Sequence, residues 1–440
     1  MNRASILVQL CLSLLSTGTL RAQSPVDSSL AAFISTIRAV DNHTHVNTTV
    51  PRDSEFDALP LDGLPPFALP ARLSPDNPEL LEGYRALYDY RYTDWSEPHR
   101  AELRATMQRV AREQGERFPQ WVLDRIGVEV MFANRIAMGP GLAAPRFRWV
   151  SYVDALMLPL STAREREATP DYRVLYPLEE RLLQRYLADL HVARLPPTLD
   201  AYLRLVVTPT LERQRRDGCV AVKFEAAYLR ALDFDDASEA SVRPVYARYA
   251  AAGVPQHAQY KALQDFLFRY IAREAGRLGM AVHIHSLEGG GGFYRAAGSD
   301  PFLLESAFND STLRGTNFVI IHGGGVFAPH AGAMLWKPNV WLDMSALDQV
   351  LPAATLASVL RNWLEQYPDK VLYGSDAFTW GPDAGWEMGA WLAETTARRA
   401  LGIALTGMLR DGEIPRARAE EIATMVLRTN AAALYKLSLR

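Results

Sequence analysis

The sequence predicts an α/β fold: a (β/α)8 TIM barrel carrying a helical insertion after its first strand. Three observations predict it. Short apolar runs recur eight times along the chain, amphipathic stretches separate them, and ionisable residues stand at the ends of several runs. Strand–helix alternation implies a parallel sheet, and eight repeats suggest closure into a barrel. A doubly wound open sheet is the alternative, but no Gly-x-Gly-x-x-Gly follows the first strand, so a dinucleotide site has little support.

Residues 1–22 are expected to be a signal peptide, with Arg3 as the positive region, Ile6 to Leu15 as a short apolar core and Leu20-Arg21-Ala22 before the cleavage point. The apolar run is too short to span a bilayer. Residues 23–440 are expected to form a single domain, exported to a periplasm or secreted. Cleavage leaves Cys219 as the lone cysteine, which rules out an internal disulfide. It also takes the net charge from −3 to −5, because Arg3 and Arg21 leave and residues 1–22 hold no acid. A mildly acidic chain with interspersed charges offers no footprint for nucleic acid, and no later apolar stretch is long enough to be a membrane span. The sequence leaves room for a homo-oligomer without arguing for one. At 440 residues the chain exceeds a typical barrel of about 250, so an insertion must take up the surplus.

The first strand is the approach Ile37-Arg38-Ala39-Val40 running into Asp41-Asn42-His43-Thr44-His45. Residues two apart on a strand share a face, so His43 and His45 can present two imidazoles to one point. Neutral imidazole is the commonest metal ligand. Read alone, a surface His-x-His without function is an equal alternative. The insertion follows over about 48–126: a Pro-rich irregular stretch, then helical patterns near 79–92 and 97–117. Long ordered loops are usually functional, so it is read as a lid or pocket wall, with a peripheral helical decoration as the alternative.

Seven further strands are expected at 127–133, 148–154, 220–225, 280–286, 317–322, 340–344 and 371–373. Helices are expected at 179–190, 198–216, 256–278, 352–366 and 386–409. The four glycines Gly289–Gly292 suit a close-approach loop, not a phosphate-binding one, since no Lys-Ser or Lys-Thr follows.

The informative residues are those that do not belong in strands. Lys223 interrupts Val220-Ala221-Val222-Phe224, His283 and His285 sit in one run, His322 ends Val319-Ile320-Ile321, and Asp376 follows Gly374-Ser375. In a barrel the C-terminal strand ends face one cavity. Polar groups buried there are costly unless paired or bound to metal. His99, His191, His257 and His330 are treated as background.

In order and spacing, these residues resemble the amidohydrolase superfamily, and Val222-Lys223-Phe224-Glu225-Ala226-Ala227-Tyr228-Leu229-Arg230 is similar to its amidohydrolase-related branch. The tail Asn430-Ala431-Ala432-Ala433-Leu434-Tyr435 resembles that family's closing helix. The resemblance implies a barrel with one or two divalent metals, zinc first, with manganese or iron as alternatives, and a metal-activated water. It implies a metal set of His43, His45, Lys223, His285, His322 and Asp376, with Asp376 as general base and His322 as a second catalytic group. Lys223 has two readings: an N6-carboxylated lysine bridging two metals, or an ammonium facing a substrate carboxylate beside one metal. A salt bridge to Glu225 or Asp343 is the structural alternative. His283 and His285 compete for one family position, which resembles that of His285; His283, Tyr228 and Arg230 are candidate substrate-binding residues. The implied function is hydrolysis of a small-molecule amide, lactone or related C–N or C–O bond. A mononuclear decarboxylase, or another carbon–carbon lyase or hydratase, is the alternative.

Overall fold

Apolar runs dominated by Val, Ile, Phe and Leu build the sheet, and they are buried on both faces, as parallel strands covered by helices must be. The computed structural model describes residues 26–49, 53, 55–59, 69–74 and 77–439, so the expected leader lies outside the described residues. Eight strands pair in parallel in chain order: β1 (Ala39–Thr44), β2 (Val128–Asn134), β3 (Phe147–Tyr152), β4 (Cys219–Phe224), β5 (Ala281–His285), β6 (Phe318–Ile321), β7 (Val340–Asp343) and β8 (Val371–Leu372). The fold is the expected (β/α)8 barrel.

The ring closes where β8 meets β1. Only two residues of β8 belong to the ladder, and the backbone beyond them completes the seam. Asn42 N donates to Tyr373 O (2.9 Å), Asp376 N to His43 O (2.8 Å) and His45 N to Ala377 O (2.8 Å). The closing seam is therefore also the place where His43, His45 and Asp376 meet.

Inside the barrel, Val40, Val130, Phe132, Val150, Ala221, Ala281, Val319, Ile321 and Leu372 form a separate apolar core. The C-terminal helix Asn430–Tyr435 joins this core through Ala431 and Tyr435. The Tyr435 ring packs on Phe132 at 4.5 Å, and its hydroxyl reaches His283 Nε2 at 2.6 Å and donates to Asn42 Oδ1. Tyr435→Phe keeps the packing but strips both partners. Leaving buried polar groups unpaired costs roughly 1–3 kcal/mol each, so a loss of about 2–4 kcal/mol is expected in urea unfolding.

Helices separate the strands except between β2 and β3, which a turn-rich connection joins, and they include the expected ones at Tyr176–Asp189, His257–Arg277, Ala353–Leu364 and Trp386–Arg410. Helices at Ser28–Thr36, Phe118–Ile126 and Glu239–Tyr249 were not expected. The last carries Pro244 in its interior, which reads as a breaker in sequence. In the insertion, Pro78–Tyr88 starts on Asn77, whose side chain accepts from Glu79 N, with proline in the first turn. Glu97–Gln114 stops at Gly115, whose φ of 53° favours glycine. Part of this insertion docks on the helix Trp386–Arg410 and the turn before it. Tyr88 donates to Glu387 Oε1 (2.7 Å) and Tyr84 to Asp383 O (2.8 Å). Nearer β1, residue 53 and residues 55–59 reach the rim of the barrel, where Asp57 meets His45. Among the described residues, no helix is long and apolar enough to cross a membrane.

Candidate metal centre

Two imidazoles and one carboxylate converge at the seam. Asp376 Oδ1 lies 3.1 Å from His43 Nε2 and 3.4 Å from His45 Nε2. The backbone of Asp376 has φ 54°, a left-handed conformation unusual for a residue with a Cβ. It is held by the bond to His43 O and by Gln349, whose side-chain amide donates to the carbonyls of Ser375 (2.7 Å) and Asp376 (2.9 Å). Asp41 completes the clamp: its carboxylate accepts from Ser375 N (2.9 Å) and Ser375 Oγ (2.6 Å). Burial pushes the Asp41 carboxyl up to about 8.

A second pair of donors stands beside the first. His285 Nδ1 and His322 Nε2 are 3.1 Å apart, and His322 Nδ1 lies 3.9 Å from Asp376 Oδ2. His322 also adopts positive φ (66°), followed by Gly323 (55°), Gly324 (92°) and Gly325 (56°). The chain turns sharply off β6, and a Cβ at Gly323 would meet the Trp363 ring at 2.4 Å. Asp343 holds this turn by accepting from His322 N (3.2 Å) and Ser345 N (2.9 Å).

Lys223 is fully buried at the end of β4, and its Nζ makes its polar contact to His43 Nε2 at 3.2 Å. Desolvation lowers its pKa, against the attraction of Glu225, Asp376 and Asp343. A buried amine with reduced basicity is the form that can react with CO2.

The remaining ring nitrogens of His43, His45 and His322 have partners. Asn134 Nδ2 lies 2.8 Å from His43 Nδ1, Ser345 Oγ 3.0 Å from His322 Nδ1, and Asp57 Oδ2 2.9 Å from His45 Nδ1. Burial holds His43, His285 and His322 well below the usual histidine range, which keeps them neutral. Burial is also the largest single influence on His45, pulling it down, but Asp57 and Asp376 together outweigh it and lift the ring to about 10. Beside His45, the two carboxylates thus favour a positive charge.

The donor set fits a divalent ion. Donors about 2.0–2.2 Å from one ion stand roughly 3–3.6 Å from each other. Both the His43, His45, Asp376 group and the His285–His322 pair have that spacing. Neutral imidazole and ionised carboxylate are the required ligand forms, and Nε2 of His285 is buried with no hydrogen-bond partner. His43, His322 and Asp376 also offer ligand atoms within 4.8 Å of one another, as do His45, Asp57 and Glu225.

The structure therefore brings together His43, His45, Lys223, His285, His322 and Asp376. Tyr228 joins them, its ring 4.3 Å from His285. Of the other two substrate-binding candidates, His283 lies deeper on β5 and Arg230 lines an adjoining cavity. His283 is fully buried two residues before His285 on β5 and is bonded through Nε2 to Tyr435. Arg230 is engaged by Asp265 (2.7 Å) and Gln264 (3.0 Å), and its guanidinium covers the Phe234 ring. It lines a cavity of about 370 Å³ with Tyr172, Tyr228, Lys261, Phe293 and Tyr294. Asn134, Ser345, Tyr152 and Asp57 were not found from sequence. Asn134 and Ser345 follow apolar runs, which is a weak signal; Asp57, in the Pro-rich stretch, gives none.

The amidohydrolase family model matches residues 187–437, more than half of the chain. The chain belongs to the amidohydrolase family. As an amidohydrolase it is an enzyme whose family implies a divalent metal, and the match includes Lys223, His285, His322 and Asp376. The His43–His45 strand lies outside the matched stretch and is joined to it by the barrel seam. No curated protein matches the chain significantly. Among solved structures, it is similar to a Lactobacillus casei protein described as a metal-dependent hydrolase (15% identity, 92% of this chain and 97% of that one, TM-score 0.59). It is also similar to uronate isomerase from Thermotoga maritima (14% identity, 93% and 98%, TM-score 0.54). Glucuronate isomerase from Caulobacter crescentus matches comparably (12% identity, 96% and 98%, TM-score 0.54). At these identities the likeness concerns the fold.

Proposed function

We propose that this amidohydrolase hydrolyses an amide, lactone or related C–N or C–O bond of a small molecule. The observation that carries the reading is Asp376: Oδ1 sits between the Nε2 atoms of His43 and His45, while Oδ2 faces His322. His43, His45 and Asp376 would hold a first divalent ion, and His285 and His322 a second, with Lys223 as its carboxylated bridge. When bound, such an ion supplies Lewis acidity that polarises a carbonyl and acidifies water.

The chain's own groups do the rest. Asp376 Oδ2 takes the proton of the attacking water as the new C–O bond forms, then passes it to the departing nitrogen or oxygen as the scissile bond breaks. With a single ion, His322, held by Ser345 at Nδ1, would instead steady the carbonyl oxygen through Nε2. Tyr228 walls the substrate on the His285 side and belongs to the lining of the adjoining cavity.

A second reading is favoured by the likeness to two uronate isomerases: Asp376 would move a proton between adjacent carbons of a carboxylate-bearing sugar acid. In that reading, or in the decarboxylase or lyase one, Lys223 stays an ammonium facing the carboxylate. Turnover of a panel of N-acyl compounds, lactones and uronates in oxygen-18 water separates these readings. Hydrolysis puts the label into the product carboxyl group, whereas turnover without label rejects it. We also propose, from the leader-like residues 1–22, export to a periplasm or the medium, with a mature N-terminus at Gln23.

A further inference from the structure

Each of three clustered imidazoles is held from behind by a different group: His43 by Asn134, His322 by Ser345 and His45 by Asp57. Asparagine and serine are neutral. Asp57 alone brings a charge, and it alone comes from the irregular stretch after β1 and not from a strand or a strand end.

That stretch is built to deliver it. Arg135 is fully buried at the end of β2 and pairs with Asp53 at 2.7 Å. Ile136 N donates to Glu55 O at 2.9 Å, and Arg185 pairs with the Glu55 carboxylate. Asp57 Oδ1 accepts from Leu59 N at 3.0 Å, closing a short turn that aims Oδ2 at His45 Nδ1. Tyr152 adds its hydroxyl 3.2 Å from the same nitrogen.

We infer that Asp57 is the positioning carboxylate of His45, and that through it the excursion after β1 sets the affinity of the site for its metal. This rests on the proposed role of His45 as a metal-holding side chain. A carboxylate that accepts Nδ1–H fixes the tautomer, so that the Nε2 lone pair faces the Asp376 side, and it makes that lone pair more basic. Insertion and metal centre are then one unit: the segment is a structural part of the site as well as a wall.

The test is Zn²⁺ affinity of the full-length protein, measured by competition with a chromophoric chelator. Asp57→Ala is expected to weaken binding roughly 10–100-fold with the number of ions at saturation unchanged. Asp57→Asn keeps the shape and one acceptor oxygen, and is expected to fall between wild type and Asp57→Ala. It also serves if the alanine variant does not fold. Unchanged affinity in either folded variant overturns the inference, since a merely structural role would lower thermal stability alone. Loss of one ion per chain from Asp57→Ala also overturns it, by making Asp57 a ligand together with Glu225. His45→Ala separates the two levels: if it leaves Zn²⁺ affinity intact, the metal-holding role of His45 fails, whatever Asp57 does.

Discussion

Replacing Asp376 with Asn is expected to lower kcat/KM by about 10³-fold or more while leaving the fold intact. General acid–base catalysis contributes typically about 10²–10⁴-fold, and the substitution also removes an anionic donor shared by His43 and His45. Asparagine is the informative choice. Its backbone tolerates the left-handed conformation at this position (φ 54°) as aspartate does, and the contacts that hold the turn run through main-chain atoms. Steady-state kinetics and far-UV circular dichroism on the same preparation check both halves. Activity retained by a folded variant would remove Asp376 as the base.

The second large effect is expected at Lys223. Its setting pulls two ways: full burial lowers its pKa and its polar contact is to a histidine nitrogen, while Glu225, Asp376, Asp343 and Asp57 favour the ammonium. As a carboxylated bridge it would tie the His43, His45, Asp376 group to the His285–His322 pair. Lys223→Ala is therefore expected to take bound metal from about two ions per chain to about one, with activity falling roughly 10²-fold or more. Elemental analysis of metal per chain reads the first effect directly. Unchanged stoichiometry, with a raised KM confined to substrates bearing a carboxylate, would instead make Lys223 a substrate contact and favour the isomerase or lyase reading.

How far the sequence led can be traced residue by residue. The barrel was legible because strands buried on both faces need unbroken apolar runs, and Val319-Ile320-Ile321 or Val220-Ala221-Val222 admit few other roles. The site was legible for the same reason inverted: Lys223, His285, His322 and Asp376 stand where packing alone would not place a polar group. Depth was not legible. His283 and His285 share a face by the strand period, and the partner that occupies the deeper one, Tyr435, arrives some 150 positions later.

The partners that orient the ligands were hidden too, because each arrives from a different segment. Asn134 and Ser345 look like ordinary residues at strand ends, and Asp57 lies in a stretch with no periodicity to place it. The setting of Arg230 was hidden as well: its partner Asp265 lies on the helix His257–Arg277, while Arg230 also lines the cavity beside Tyr228. The short β8 was recognisable only as a three-residue run. Its closure is carried by main-chain bonds beyond it, which leave no signature in side-chain pattern.

Side chains at the C-terminal ends of β1, β5, β6 and β8 would hold a divalent cation at the barrel seam. Anomalous diffraction at the zinc absorption edge, from crystals grown with Zn²⁺, tests it most directly. The expected result is a peak bonded to His43 Nε2, His45 Nε2 and Asp376, with a second peak at His285 and His322 if Lys223 is carboxylated. A map with no peak at that seam, or with the ion held elsewhere on the chain, would contradict the assignment.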